Sequence, residues 1–333
     1  MRYLHNICVT VCILLLTLSC GGGASVTQLP SLGGKGLSGL YAGTVDGTLF
    51  VAGGCNFPDK PLTEGGRKVF YDEILSLDGG EWTKAGTLPK PSAYGAYIQR
   101  PEGLMIIGGA GPDGSHSDVW MVTADSVMVL PSLPLPLEQA AWYDDGERIY
   151  LAGGLSNGTP SNAVLVYEGG RWSDVSRLPG PVVQGIATLS DGVLGIWGGY
   201  DPDAKKALTG GYALDLEAGA WTDLKADVTF VGSASLGGRA VGGCDAGIFT
   251  MALNLPADKV LEYQSQDYGY YRFRDELLTF DPSTGEWVRS ASSEHLARAG
   301  AAVAEFDGGL VSIGGELKPG IRTPEVWMIK TNK

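Results

Sequence analysis

Leu49-Phe50-Val51-Ala52-Gly53-Gly54 (LFVAGG) is a short apolar run closed by two glycines. Four apolar residues in succession suit a strand buried on both faces, and a glycine pair marks a turn or a close backbone approach. The pattern returns at Leu104–Gly109, Ile149–Gly154, Leu194–Gly199, Ala240–Gly243 and Leu310–Gly315. The first glycines fall at positions 53, 108, 153, 198, 242 and 314, so the repeat is about 45 residues long in the middle and longer at two places. One glycine pair is an ordinary turn, but six in register are an internal repeat.

Working outward, each pair is preceded by a small-residue strand such as Ser92–Ile98, Gln139–Tyr143 or Ala299–Ala304. Each is followed by a third strand: Glu73–Leu77, Val119–Val122, Ala163–Tyr167, Tyr212–Leu216, Glu276–Phe280 and Glu325–Ile329. A fourth often opens with Trp, at Trp82, Trp172, Trp221 and Trp287. Four strands per repeat, with Gly-Gly and a later Trp, resemble the kelch repeat and predict an all-β, six-bladed kelch-type β-propeller. The last repeat is one strand short. Ser25–Pro30 (SVTQLP) reads as that strand, so the N-terminal segment is expected to complete the last blade, close the ring and remove its exposed edges.

The 333 residues include 51 Gly, only 18% charged residues and a net charge of −13, which speaks for turn-rich all-β structure and against a nucleic-acid partner. Arg2, an apolar run from Ile7 to Leu18 and Ser19-Cys20-Gly21-Gly22-Gly23 resemble a bacterial lipoprotein signal. Residues 1–20 are therefore expected to be a signal peptide, with Cys20 lipidated and residues 21–333 forming the propeller. The protein would lie at the periplasmic cell envelope, meeting the membrane only through its lipid anchor. A homodimer is compatible with the sequence. Cys55 and Cys244 fall in non-adjacent blades, which argues against a disulfide, and His116 and His295 have no metal-site spacing.

Loops joining the second and third strands of every blade emerge on one face. The long ones are Cys55–Phe70, Cys244–Asp275 and Glu316–Pro324, in blades 1, 5 and 6, which are consecutive around a closed ring. They carry Lys60, Arg67 and Lys68, Arg272 and Arg274, and Lys318 and Arg322, while Arg298 begins the inner strand of blade 6, where it is expected to point at the channel mouth. This local cluster in an acidic chain suits a small acidic ligand, against the plainer reading of solvated loop charges. Within Gly314–Thr323 (GGELKPGIRT), Glu316 follows the glycine pair and Arg322 returns after a Pro319-Gly320 turn. A carboxylate and a guanidinium so placed can take a proton and grip an acid. A structural ion pair bracing the loop is the alternative.

The same ten residues resemble the motif of the sialic acid mutarotases (N-acetylneuraminate epimerases), kelch propellers of the bacterial periplasm. ELLTFDPSTGEW (Glu276–Trp287) resembles the family's preceding blade, and GGCNFPDK (Gly53–Lys60) and SAYGAY (Ser92–Tyr97) fit more loosely. The motif stands near the C-terminal end here, as in a cyclically permuted branch. Ser92, where the other form has Arg, and a divergent blade 5 loop leave the sugar acid open. The resemblance implies an isomerase that interconverts the α and β anomers of sialic acid without a cofactor, with Glu316 as base and Arg322 its basic partner. Arg322, Arg298 or Lys318 would bind the carboxylate, and Asn56, Tyr94 and Gln184 could bond hydroxyls and the N-acetyl group. The rival of a different class is a non-catalytic propeller that binds glycans or a partner protein. A glycoside hydrolase would usually need a second carboxylate or a tyrosine nucleophile over the site.

Overall fold

The computed structural model describes residues 17–19, 23–34 and 36–331. Six antiparallel sheets follow one another along the chain, each running from an inner to an outer strand. Blade 1 is Tyr41–Val45, Thr48–Ala52, Glu73–Asp78 and Glu81–Thr87. Blade 2 runs from Ala96–Arg100 to Val127–Leu130, blade 3 from Ala141–Asp144 to Arg171–Arg177, blade 4 from Ile186–Ser190 to Trp221–Leu224, and blade 5 from Ala234–Leu236 to Glu286–Ser292. Blade 6 takes Ala302–Phe306, Gly309–Ile313 and Val326–Thr331 from the end of the chain and Ala24–Leu29 from its beginning. Val26 pairs with Ile329 and Leu29 with Val326, so the ring closes as a six-bladed propeller. Thr17–Ser19 adds an outermost strand to the same blade. Cys20, and with it the lipidation expected there, lies outside the described residues.

The glycine pairs have one physical cause. At Gly153 the backbone is left-handed, with φ 72°, and a Cβ there would stand 2.2 Å from the Val182 carbonyl oxygen of the next blade. Only glycine lets the backbones meet this closely. The second glycine then donates across the seam, as from Gly154 N to Val182 O at 2.8 Å and from Gly315 N to Leu37 O at 2.7 Å. The tryptophans fasten the outer rim in the same spirit. Trp82 Nε1 donates to Pro30 O at 2.7 Å, and Trp172 Nε1 to Pro131 O at 3.1 Å, each reaching the end of the preceding blade. Between blades the core is formed by alternating apolar residues such as Leu49, Leu104, Ile106, Trp120 and Val311, all buried.

Two details differ from the sequence reading. Inner strands begin later than expected, at Ala96, Ala141 and Ala302, because Tyr94, Gln139 and Gly300 adopt left-handed backbone just before them. The blade 5 loop also contains helices, Ala246–Leu253 and Val260–Gln264. The first is capped by Asp245, whose carboxylate accepts from Ile248 N at 2.8 Å. At eight and five residues they are too short to show a helical period in sequence.

Candidate active site

A circle of backbone surrounds the channel mouth, five of its six blade-to-blade links made by hydrogen bonds. In each blade the residue that enters the inner strand is left-handed: Gly39, Tyr94, Gln139, Gln184, Gly232 and Gly300, with φ between 56° and 70°. Gly39 N donates to Gly300 O, Tyr94 N to Gly39 O, Gln139 N to Tyr94 O, Gln184 N to Gln139 O and Gly300 N to Gly232 O, at 2.7–2.9 Å. Just outside this ring sits the residue that follows each glycine pair, bridged in five of the blades to the residue before the ring position, as Glu316 is to Ala299. Glu316 N donates to Ala299 O at 2.7 Å and Ala299 N returns a bond to Glu316 O at 3.0 Å. The corresponding residues in the other blades are Cys55, Ala110, Leu155, Tyr200 and Cys244, so blade 6 alone places a carboxylate at this lip.

Above the ring lies a cavity of about 450 Å³. Its polar lining includes Glu316, Arg322, Lys68, Tyr94, Gln139, Gln184, Ser233, Ser235, Cys244 and Tyr263, and its apolar wall includes Phe57, Phe249, Phe273 and Trp142. The long loops of blades 5, 6 and 1 do converge over it. Lys318 Nζ donates to Gln266 O of the blade 5 loop at 2.7 Å, and the Arg322 guanidinium lies 5.2 Å from the centre of the Phe57 ring on the blade 1 loop.

Glu316 is gripped at both oxygens. Oε2 is 2.5 Å from Arg322 Nη1, and Oε1 accepts the Gly320 N–H at 2.9 Å across the turn that Pro319-Gly320 makes. Burial pushes the Glu316 carboxyl above its ordinary value, against the opposing pull of Arg322, the Gly320 amide and Lys68. Burial works against the Arg322 charge, but Glu316 and Tyr94 more than offset it and hold the guanidinium above its usual range. Burial first, then Cys55, raises the Tyr94 hydroxyl well above its ordinary value, and that hydroxyl lies 2.9 Å from Cys55 Sγ. Lys68 Nζ stands 5.0 Å from the centre of the Tyr94 ring.

Three expected contacts do not reach the cavity. Arg298 is 2% exposed and turned into the blade, donating to Gly314 O and Glu325 Oε2, both at 3.0 Å. It braces the strand ends that carry Glu316. Lys318 is used up in the bond to Gln266 O, with Tyr268 under its ammonium. Asn56 is buried between Gly36 O, to which Nδ2 donates at 3.0 Å, and Tyr71, whose hydroxyl donates to Oδ1 at 2.8 Å. Of the remaining loop cations, Arg272 pairs with Asp245 and Arg274 with Glu276. Tyr94, Gln184, Glu316 and Arg322 all line the cavity.

A family model described as N-acetylneuraminate epimerase matches residues 130–333. The chain belongs to the N-acetylneuraminate epimerase family. A protein of that name from Brucella melitensis biotype 1 is 34% identical over 114 residues, 30% of this chain and 29% of the relative. One from Yersinia pestis (strain Pestoides F) is 26% identical over 220 residues, 59% of this chain and 56% of the relative. The chain thus spans under a third of the first relative's length and little more than half of the second's. A solved structure titled "Structure of YjhT" superposes with a TM-score of 0.65 at 14% identity, covering 92% of this chain and 97% of that one, and shares the fold.

In this member of the epimerase family, Gln139, Ser233, Ser235 and Tyr263 are polar cavity residues that the sequence reading did not single out, and Gln139 is the one with a recognisable spacing. A signal for it existed. Tyr94, Gln139 and Gln184 each stand fourteen residues before the first glycine of their blade's pair, at 108, 153 and 198. Lys68 was one of several loop cations, and only the fold separates it from those spent on neighbours.

Proposed function

We propose that the protein is a mutarotase that interconverts the anomers of sialic acid, with Glu316 as the base. The observation that carries this reading is the Glu316–Arg322 pair at the inner lip of the cavity, beneath three converging loops. A carboxylate whose proton affinity is raised by burial is better matched to proton exchange near neutrality than an ordinary one. Arg322 and Lys68 are the cations beside it, and they would hold the carboxylate of the sugar acid.

The chemistry asks little else. Glu316 takes the proton of the anomeric hydroxyl as the bond from the anomeric carbon to the ring oxygen breaks, and the ring oxygen takes up a proton from water. The product is the open-chain keto acid. Rotation about the carbon chain exposes the other face of the ketone, and on reclosure the attacking hydroxyl gives its proton back to water while Glu316 returns its proton to the new anomeric oxygen. No atom or electron is gained or lost. The aromatic wall around Phe57, Phe249 and Trp142 suits the apolar face of a sugar ring.

The test is anomer exchange followed by NMR after release of a single anomer. Glu316→Gln keeps size and one acceptor but removes the base, and is expected to slow exchange by about 10²–10⁴-fold. Exchange at the wild-type rate in that variant overturns the assignment. A wild-type protein that binds the sugar acid without accelerating exchange is a binding module.

A further inference from the structure

A second polar network, away from the Glu316 loop, fills the seam between blades 1 and 2. Tyr41 opens the inner strand of blade 1, Ser92 lies on the connection into blade 2, and His116 and Asp118 stand on the third strand of blade 2, Gly114–Val122. Tyr41 OH is 2.6 Å from Ser92 Oγ, Ser92 Oγ is 2.8 Å from His116 Nε2, and His116 Nδ1 is 3.2 Å from Asp118 Oδ2. Lys90 Nζ closes the outer end, 2.5 Å from the same carboxylate oxygen. At the inner end the Tyr41 oxygen accepts the Gly95 N–H at 3.3 Å, and Gly95 lines the cavity. Gly109 makes room for the network, since a Cβ there would stand 2.5 Å from Tyr41 OH and 2.8 Å from Ser92 Oγ.

Carboxylate, imidazole and hydroxyl stand here in the order of a hydrolytic triad. Ser92 is fully buried and bonded on both sides, so it is no nucleophile for a substrate. What the network fixes is a direction. The Gly95 N–H can only donate, so the Tyr41 oxygen accepts it and the phenol proton goes to Ser92. Were Ser92 to turn its own proton back to Tyr41, the phenol proton of that fully buried residue would have no acceptor among the described residues. Ser92 therefore donates to His116 Nε2, which is bare, and the ring proton sits on Nδ1, facing Asp118. Burial lowers the His116 imidazole to about 4, with Asp118 opposing and Lys90 adding to the effect, so the ring is neutral and the chain runs this way at neutral pH.

We propose that His116 is a positioning residue for the cavity: by accepting at Nε2 it orients Ser92 and Tyr41, and so holds the Gly95 N–H and the turn that presents Tyr94. Tyr94 is left-handed, with φ 64°, and a bulky residue in that region is strained and needs its surroundings to keep it there. Its own N–H and C=O are bound around the channel mouth, and the Gly95 N–H is the next group along the turn. Without the Nε2 acceptor, Ser92 turns its proton to Tyr41, the phenol proton is driven toward Gly95, and two donors face each other. The turn then loosens, and with it the place of the Tyr94 side chain between Cys55 and Lys68. The chain stands on geometry alone, and its effect on a sugar acid rests on the mutarotase reading.

Nitrogen NMR of the full chain with labelled histidine, at neutral pH, is expected to show His116 protonated at Nδ1 and bare at Nε2, and the opposite tautomer overturns the proposal. Tyr41→Phe removes the hydroxyl, His116→Leu removes the acceptor, and His116→Gln keeps an acceptor at the reach of Nε2. Hydrogen–deuterium exchange of the Gly95 amide is expected to quicken roughly tenfold in each of the first two, the scale of one lost hydrogen bond. The double variant should go no further, because both changes cut one chain, and His116→Gln should return toward wild type. An unchanged Gly95 amide in Tyr41→Phe refutes the chain, and that variant carries the test should His116→Leu fail to fold. In Tyr41→Phe the KM for sialic acid should also rise by about 3–10-fold with kcat kept. A wild-type KM beside a quickened Gly95 amide makes the chain structural and refutes the positioning role, while the mutarotase reading stands. If the wild type does not interconvert anomers, the mutarotase reading falls, and affinity for the sugar acid by calorimetry decides instead: a weaker Tyr41→Phe supports the positioning role and an equal one refutes it. A wild type that neither binds nor interconverts the acid refutes both.

Discussion

Replacing Arg322 by Met tests how the site sets the proton affinity of its base. Met retains most of the aliphatic stem and removes the guanidinium, with its charge, its donors and its contact with the Phe57 ring. Glu316 is held between opposing influences: burial raises its carboxyl, and Arg322, the Gly320 N–H and Lys68, in that order, lower it. Arg322 Nη1 is 2.5 Å from Oε2, and an adjacent cation commonly lowers a carboxyl by about 1–3 pH units. Without that cation the burial effect is left with weaker opposition. The wild-type exchange rate is expected to fall as the solution is acidified, because Glu316 gains a proton and ceases to be a base. Its midpoint should lie above the ordinary glutamate value of about 4.3. In Arg322→Met this acid limb should move to higher pH. The assay is the pH profile of kcat for anomer interconversion, by NMR at saturating sugar acid, with the uncatalysed rate subtracted at each pH. Using kcat separates the effect from the weaker binding that loss of a carboxylate partner also causes. An acid limb left in the wild-type position, in a variant still folded by circular dichroism, refutes the reasoning.

Three further outcomes follow from the same geometry. Because the Glu316 carboxyl is raised in the folded state, its favourable contribution is present at low pH and lost as pH rises through the folded value; the melting temperature of Glu316→Gln should therefore gain on wild type as pH rises from below the ordinary glutamate range, and a difference that stays constant or runs the other way contradicts this. Deleting residues 21–32 strips the strand that pairs with Val326–Thr331, buries Val26 and receives the Trp82 N–H at Pro30, and should cost several kcal/mol and roughly 10 °C in melting temperature; calorimetry showing the parent transition would disprove the closure assigned to it. Lipidation at Cys20 remains a proposal from the signal-like sequence, and Cys20→Ala should shift the protein from the membrane to the soluble fraction or block processing; an acyl-free mature N-terminus beyond Cys20 by mass spectrometry rejects it.

The repeat was legible because its cause is steric and recurs at every seam. A Cβ at the first glycine would meet the next blade's backbone at 2.2–2.5 Å, so the glycines must fall in register and the sequence displays them. Glu316 and Arg322 were legible for a related reason, since one stands directly after a glycine pair and the other is returned by Pro319-Gly320. The supporting cations were not, because composition cannot say which charge is already spent. Arg298 lies one residue before the bridge at Ala299, and its side chain runs back to Glu325 rather than into the channel. Asn56 follows Cys55 along an extended strand, so its side chain takes the opposite face from the lip. The helices of the blade 5 loop escaped notice because their length is below the reach of a periodicity argument.

The distribution of charge also bears on how an acidic protein could take up an acidic sugar. With a net charge of −13, the long-range field repels an anion. Three of the cations near the cavity are neutralised where they stand: Arg298 by Glu325, Arg274 by Glu276 and Arg272 by Asp245. What remains is local. Arg322 is 5% exposed and its Nε makes no hydrogen bond among the described residues, while Lys68 stands at the rim beside the Phe70 and Tyr94 rings and near enough to Glu316 to pull on its carboxyl. On the proposed reading, recognition of a substrate carboxylate would come from contact inside the cavity and not from steering outside it. The Glu316 carboxylate competes for the same guanidinium, so a bound acid that draws on Arg322 loosens its hold on Glu316. On the proposed mutarotase reading, binding of the sugar acid would thereby raise the proton affinity of Glu316, a coupling that a lone carboxylate in the cavity could not supply.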